Sequence, residues 1–181
     1  MKISDTRIPA VKIIEPRVFE DDRGYFFEAF RESVFKEAGI HAHFVQDNVS
    51  KSYKGTIRGL HYQIEDPQSK LVQCIKGSIL DVAVDLRKDS PSFGHYVAIK
   101  LSDVSKRMLF VPRGFAHGFS VQSDEAIISY KCSNYYNKDG ERGVRWDDPT
   151  IRINWNVERP ILSDKDRTLP LLSSITHEDL F

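Results

Sequence analysis

Ile79-Leu80-Asp81-Val82-Ala83-Val84-Asp85-Leu86 decides the fold. Leu80, Val82, Val84 and Leu86 fall on one side of an extended chain, and Asp81, Ala83 and Asp85 on the other, with the period of two of a β-strand. Aliphatic side chains on one face and carboxylates on the other predict a strand in a sandwich whose interior is partly polar. Similar short segments lie on either side of it: Phe44-Val45-Gln46, Thr56-Ile57-Arg58, Lys70 to Ile75, Tyr96 to Leu101, Arg107 to Val111, Phe115 to Val121 and Ala126 to Cys132. Lys76-Gly77, Pro91-Ser92-Phe93-Gly94 and Asp139-Gly140 punctuate them as turns. Nearer the N-terminus Tyr25 to Phe30 reads as an aromatic strand. Arg31 to Ala38 reads as a short amphipathic helix carrying Val34, Phe35 and Ala38 and stopped by Gly39. Many short strands at regular spacing predict an all-β jelly-roll barrel, an architecture that encloses ligand cavities. The tail after Trp155 is richer in Pro, Ser and Asp, and is expected to wrap the barrel with turns and a short helix.

The chain has 181 residues, enough for one domain over 1–181 that buries roughly 70% of its unfolded surface. No repeat, low-complexity tract or linker divides it. Lys plus Arg and Asp plus Glu each number 26, for a formal net charge of 0, so no nucleic acid or membrane partner is expected. Met1-Lys2-Ile3-Ser4-Asp5-Thr6-Arg7 lacks the apolar core of a signal peptide, and no apolar run is long enough to span a bilayer, which predicts a cytoplasmic protein. Cys74 and Cys132 lie in apolar-periodic stretches and read as reduced core thiols.

Chemistry concentrates in two histidine strings, Arg58-Gly59-Leu60-His61-Tyr62-Gln63 and Pro112-Arg113-Gly114-Phe115-Ala116-His117-Gly118. The second resembles the latter half of the cupin signature, P-x-G-x-x-H. Where a metal-binding cupin carries H-x-H, the first has Gln63 as its second member. A metal site needs three or four converging ligands, so no metal is expected. A histidine without metal serves best as a proton acceptor, since its ordinary pKa of about 6.5 lies near working pH. A carbonyl beside the C–H bond supplies acidity if a cation or donor meets the developing enolate; Lys70 and Arg58 are candidates. A gap of about ten pKa units between carbon acid and imidazole corresponds to roughly 14 kcal/mol. Enzymes supply about 8 to 23 kcal/mol, so several groups must share the work.

Over essentially its whole length the sequence resembles the dTDP-4-dehydrorhamnose 3,5-epimerase family of cupin-fold enzymes. The matching strings run in order: Asp22-Arg23-Gly24-Tyr25-Phe26-Phe27-Glu28, Phe44 to Asn48, Arg58 to Gln63, Lys70-Leu71-Val72, Asp81 to Arg87, Ser90 to Gly94, Pro112 to Gly118, Tyr130-Lys131 with Tyr135-Tyr136, and Arg142 to Pro149. The resemblance implies an isomerase free of metal and cofactor that inverts C3 and C5 of a 4-keto-6-deoxyhexose attached to dTDP. It implies His61 as base and Tyr130 as proton donor on the opposite face of the sugar. Asp166, in Ser163-Asp164-Lys165-Asp166, becomes the partner that fixes the tautomer of His61. Asp81 and Asp85 are rivals for that task, and S-x-x-D also reads as a helix cap. The same resemblance places Lys70 and His117 beside the enolate oxygen and Arg23 and Arg58 on the phosphates and sugar. It puts Glu28, Gln46, Asp47 and Asn48 on the nucleotide, Glu141 and Lys165 on further substrate contacts, and Tyr136 or Phe26 against thymine. It further implies a homodimer in which an early strand crosses to the partner. A single-centre epimerase on a related nucleotide sugar, or a sugar-binding cupin without activity, are the alternatives.

Overall fold

A computed structural model describes residues 1–181 as thirteen strands, two short α-helices and two 3-10 turns. In chain order the elements are β1 (Lys2–Asp5), β2 (Lys12–Glu15), β3 (Val18–Asp21), β4 (Gly24–Phe27), α1 (Glu32–Glu37), β5 (Gln46–Tyr53), β6 (Ile57–Gln63), β7 (Lys70–Lys76) and β8 (Ser78–Asp85). There follow β9 (Tyr96–Ser102), β10 (Met108–Val111), β11 (Phe115–Val121), β12 (Glu125–Cys132), β13 (Glu141–Gly143), α2 (Asp164–Thr168) and 3-10 turns at Leu172–Ser174 and His177–Asp179. A six-stranded sheet, β1-β2-β10-β7-β12-β5, faces a five-stranded sheet, β13-β6-β11-β8-β9, and β3 with β4 form a separate hairpin. The all-β jelly-roll expectation holds.

The alternation along β8 explains the layering. Ile79 and Ala83 join the core between the sheets with Val72, Cys74, Ile128, Phe115 and Phe119. Val82, Val84 and Leu86 face outward, where the tail covers them with Ile151, Trp155 and Leu172. A strand buried on both faces therefore keeps its period of two, and Asp81, fully buried, points to the inter-sheet side with Ala83. Burying one such aliphatic side chain stabilises by about 1.5–3 kcal/mol, which fixes the register, since a one-residue slip would exchange the two faces. A third cluster, around Phe35 of α1 with Ile14, Leu71 and Phe110, seals the outer side of the six-stranded sheet. Gly39 terminates α1 with φ +78, and the Ile40 amide donates back to the Phe35 carbonyl, as a helix with a C-terminal glycine does. No helix is long and apolar enough to cross a membrane. Cys74 and Cys132 are buried free thiols.

Some boundaries differ from expectation, and four short strands were missed. The aromatic strand ends at Phe27, short of Phe30, whose ring instead packs edge-on against Phe35 and Phe44. Phe44 and Val45 precede their strand, which runs from Gln46 to Tyr53. The short strands β1, β2, β3 and β13 were not apparent from periodicity, because three or four residues complete no readable alternation.

Candidate active site

The barrel holds a cavity of about 530 Å³ and a second of about 350 Å³. His61, Lys70 and Tyr130 line both, so the two spaces meet at these three side chains. His61 comes from β6 of the five-stranded sheet, while Lys70 and Tyr130 come from β7 and β12 of the facing sheet. Base candidate and phenol thus stand on opposite walls.

The position of His61 depends on two glycines. Gly59 has φ +121, and a Cβ there would lie 2.6 Å from the Cα of Gly118; one on Gly118 would lie 2.6 Å from the Arg58 carbonyl oxygen. Only glycine permits this approach of β6 to β11. The ladder between them shifts register after the pair His117 and His61, which lie directly opposite each other. Both imidazoles therefore line the same cavity.

His61 Nε2 lies 2.6 Å from Asp166 Oδ1. Burial pushes the Asp166 carboxyl up, but the hydrogen bond and charge of His61, the Ser163 hydroxyl and the Gly59 amide outweigh it and hold the group below the ordinary aspartate range. An ionised carboxylate accepts only, so the Nε2 facing it carries a proton and Nδ1 is the nitrogen left for the substrate. Asp166 sits on α2, whose N-cap Ser163 accepts from the Asp166 amide at 3.1 Å. The tail is tied to the barrel rim by the bridge between Thr56 and Ile161. The S-x-x-D string is thus both a helix cap and the source of the imidazole's partner. Asp81 and Asp85 do other work: Asp81 Oδ1 lies 2.8 Å from His117 Nε2, and Asp85 accepts from Arg87, Ser90 and Ser92 in the turn after β8.

Burial raises the Tyr130 phenol above its usual value, and the nearby Cys132 thiol adds to this while Arg58 opposes it. The phenol therefore retains its proton. Burial lowers Lys70, with Cys132, Asp81 and Glu141 pulling the other way, and its ammonium makes no ion pair in the protein. Arg58 is held by Nε donating to Ser52 Oγ at 2.9 Å, which directs the guanidinium along the larger cavity. In the second cavity Glu141 accepts from the Tyr136 hydroxyl at 2.8 Å and pairs with Lys165 at 2.5 Å. Burial raises the Glu141 carboxyl, but these two donors outweigh it and lower it. Gln46 accepts from the Tyr136 amide at 3.0 Å and donates to Asn48 at 3.0 Å.

His61, Tyr130, Asp166, Lys70, Arg58, His117, Gln46, Asn48, Glu141 and Lys165 accordingly surround one composite cavity. Arg23, Glu28 and Asp47 do not. Arg23 is exposed and paired with Asp21, Glu28 is paired with Arg31, and Asp47 with Lys131. Arg23 lies in the hairpin, which is paired with neither large sheet, and Glu28 follows directly after it. Asp47 falls on the outward phase of β5. Phe26 is likewise on the hairpin and 70% exposed, whereas Tyr136 lines the second cavity. Sequence reasoning passed over Ser50 and Ser52, cavity residues of β5, and in naming Asp81 as a rival partner for His61 did not connect it with His117. The signal for the serines was the polar alternation Gln46, Asn48, Ser50, Ser52. No three His, Cys, Asp or Glu side chains converge as a metal centre requires. Gln63, at the position of the missing histidine, donates to the Asp66 and Tyr135 carbonyls and accepts from the Asn137 amide, which organises the loop beside the site.

Comparison with known proteins bears on the family and the fold. A curated relative from Shigella flexneri named dTDP-4-dehydrorhamnose 3,5-epimerase is 55% identical over 168 residues, 92% of this chain and 93% of its own. The solved structure of dTDP-6-deoxy-D-glucose-3,5-epimerase from Legionella pneumophila Philadelphia 1, in complex with dTDP-4-keto-L-rhamnose, matches with a TM-score of 0.97 at 45% identity, covering 99% of this chain and 96% of that one. ChmJ, a 3'-monoepimerase from Streptomyces bikiniensis solved in complex with dTDP-quinovose, matches at 0.87 with 32% identity over 94% of this chain and 87% of that one. The family model described as dTDP-4-dehydrorhamnose 3,5-epimerase spans residues 5–174. With that span, these identities and a matching fold, the chain belongs to the dTDP-4-dehydrorhamnose 3,5-epimerase family.

Proposed function

We propose that the protein inverts C3 and C5 of dTDP-4-dehydro-6-deoxy-D-glucose, forming dTDP-4-dehydro-L-rhamnose. His61 Nδ1 removes the proton α to the 4-keto group, the C–H electron pair forms the enolate double bond, and Tyr130 returns a proton to the opposite face of the carbon. The observation that carries the reading is the placement of imidazole and phenol on facing sheets around one cavity. Inversion needs removal and return from opposite sides, which two groups on one wall cannot provide.

The enolate oxygen is met by the unpaired Lys70 ammonium and by His117, which share the burden of the unfavourable proton transfer. Arg58 and Lys165 hold the diphosphate. Gln46, Asn48 and Glu141 hold the nucleoside, with Tyr136 against the thymine ring. The chemistry runs without metal or cofactor. The protein acts as a homodimer in which the β3–β4 hairpin of one protomer brings Arg23 and Glu28 to the cavity of the other; neither residue lines the cavities of its own chain, which supports that arrangement.

Incubation of the protein with dTDP-4-keto-6-deoxyglucose in deuterium oxide is expected to place deuterium at both C3 and C5. Tyr130→Phe is expected to retain exchange while slowing formation of the inverted sugar. The fold shared with a 3'-monoepimerase supplies a second reading, a single-centre epimerase, and label confined to one carbon would establish it in place of the first. Absence of any label would leave a binding module.

A further inference from the structure

Gln63 is buried, with 5% exposure, two residues along β6 from His61, and no step of the epimerisation uses it. Its amide donates twice and accepts once. Nε2 donates to the Asp66 carbonyl at 3.0 Å and to the Tyr135 carbonyl at 3.2 Å, and Oε1 accepts from the Asn137 amide at 3.1 Å. The last two contacts fall on either side of Tyr136, one on the peptide unit before it and one on the peptide unit after it. The Tyr136 amide itself donates to Gln46 Oε1 at 3.0 Å, and Gln68 donates to the Asn134 carbonyl at 2.9 Å. No main-chain group from Asn134 to Asn137 bonds to another main-chain group, so side chains alone shape this loop. Packing does not fix the Tyr136 ring either: the residue is 56% exposed, and its side chain is tethered through the hydroxyl that donates to Glu141. A half-exposed ring on a loop without main-chain bonds would have to be ordered by its ligand, at a cost in affinity.

We infer that Gln63 is a positioning residue for nucleobase recognition: by gripping the peptide units on both sides of Tyr136 it holds that ring as a preformed wall of the second cavity, on which the thymine of a dTDP sugar stacks without having to order the loop. This rests on the nucleotide-sugar reading of the site and extends it to a side chain that touches neither base nor sugar. Strand β6 then serves both ends of the substrate, the sugar through His61 and the base through the clamp on Tyr136. The contact with the Asp66 carbonyl joins the turn after β6 to the same loop, and Asn137 Nδ2 reinforces it by donating to Asp66 Oδ2 at 3.3 Å. The competing role for Gln63 is to steady His61, its neighbour on the same face of the strand. That role would appear in kcat, whereas a wall for the non-reacting nucleobase appears in KM.

The test has two arms, both on the full-length protein. In the free wild-type protein, amide hydrogen exchange is expected to be at least about tenfold slower at Asn137, which donates to Gln63, than at Lys138, whose amide has no partner. Equal exchange at the two overturns the inference whatever the variants do. In the second arm, Gln63→Met, close in size but without hydrogen-bonding groups, is expected to weaken calorimetric binding of dTDP about tenfold and to raise KM alike, with kcat within about twofold of wild type. Inhibition by pyrophosphate, which has no base, is expected to stay unchanged. In a Tyr136→Ala background the same substitution is expected to cost almost no dTDP affinity, since a residue acting through another has no effect once that other is gone. Should Gln63→Met fail to fold, Gln63→Glu, which keeps the shape and the acceptor for Asn137 but offers the two carbonyls no donor, carries the same expectations. Unchanged dTDP affinity, an equal loss with and without Tyr136, or a fall in kcat at constant KM overturns the inference. A wild-type protein that binds no dTDP defeats the nucleotide-sugar reading itself, and is told apart because the variants then have no affinity to lose.

Discussion

At the scale of single residues, the site acts in opposite directions on two unlike side chains placed in like surroundings. Tyr130 and Lys70 have similar ordinary pKa values, about 10 and 10.4, and both are buried in one cavity, but burial disfavours the charged form of each. It therefore raises the phenol and lowers the ammonium. The phenol, useful as a neutral donor, keeps its proton beyond its usual range, and the ammonium, useful as a cation, loses its proton before its usual range. Activity at high pH is consequently expected to fall with the Lys70 charge rather than with the Tyr130 proton. The check is the pH profile of deuterium exchange: Tyr130→Phe should leave the alkaline limb where it is, and Lys70→Met should remove it from the residual rate. Gln63 shows what one residue type decides in sequence. Its presence in place of histidine argued against a ligand, and in the structure its amide is spent on three backbone groups of the neighbouring loop. Asp81 was read as a rival partner for His61 because a strand's period reveals which face a carboxylate takes, but not which strand lies beside it.

At the scale of elements, β8 was legible and β5 was not, for one physical reason. The alternation in β8 is readable because Val82, Val84 and Leu86 pack under the tail on one face, while on the other Asp81, partner of His117, interrupts the core residues Ile79 and Ala83. The inner face of β5 carries Gln46, Asn48, Ser50 and Ser52, because it faces the cavity rather than the core. A strand that is polar inside for functional reasons has no hydrophobic period to read, and such failures are expected to fall at functional sites. The helix α1 was legible through its apolar residues and the glycine that ends it. The approach of β6 to β11 had a signal in the sequence, glycines in both histidine strings, but their mutual contact is a property of the fold. Gly118→Ala would put a methyl group 2.6 Å from the Arg58 carbonyl oxygen and 3.1 Å from the Gly59 Cα. Forcing backbone apart in a packed region costs typically 1–3 kcal/mol, so urea denaturation is expected to show a loss of about that size. Turnover should fall further than stability, since Arg58, His61 and His117 all hang from the displaced strands.

At the scale of the whole molecule, the jelly roll, its cavity and the family were legible because strings spread from residue 22 to residue 149 had to appear in order. Which of those strings meet within one chain was not legible. Motif matching placed Arg23 and Glu28 with the rest, and the structure sets them on and beside a hairpin outside both sheets. Phe19, Tyr25 and Phe26 on that hairpin are exposed, more apolar surface than an isolated two-stranded ribbon normally offers to water. Phe26→Glu is expected to shift the protein from dimer towards monomer in light scattering and to raise KM several-fold with less effect on kcat. An unchanged mass and KM would remove the hairpin from the proposed interface.

The bond between His61 and Asp166 joins positions 105 residues apart, the second of them late in the chain. A ribosome can therefore complete every strand of the barrel before the carboxylate that poises the base has been synthesised. Catalytic competence arrives with the tail, and a premature stop beyond Trp155 would leave the imidazole with nothing to steer it and uncover the part of the barrel that Leu172 and its neighbours seal.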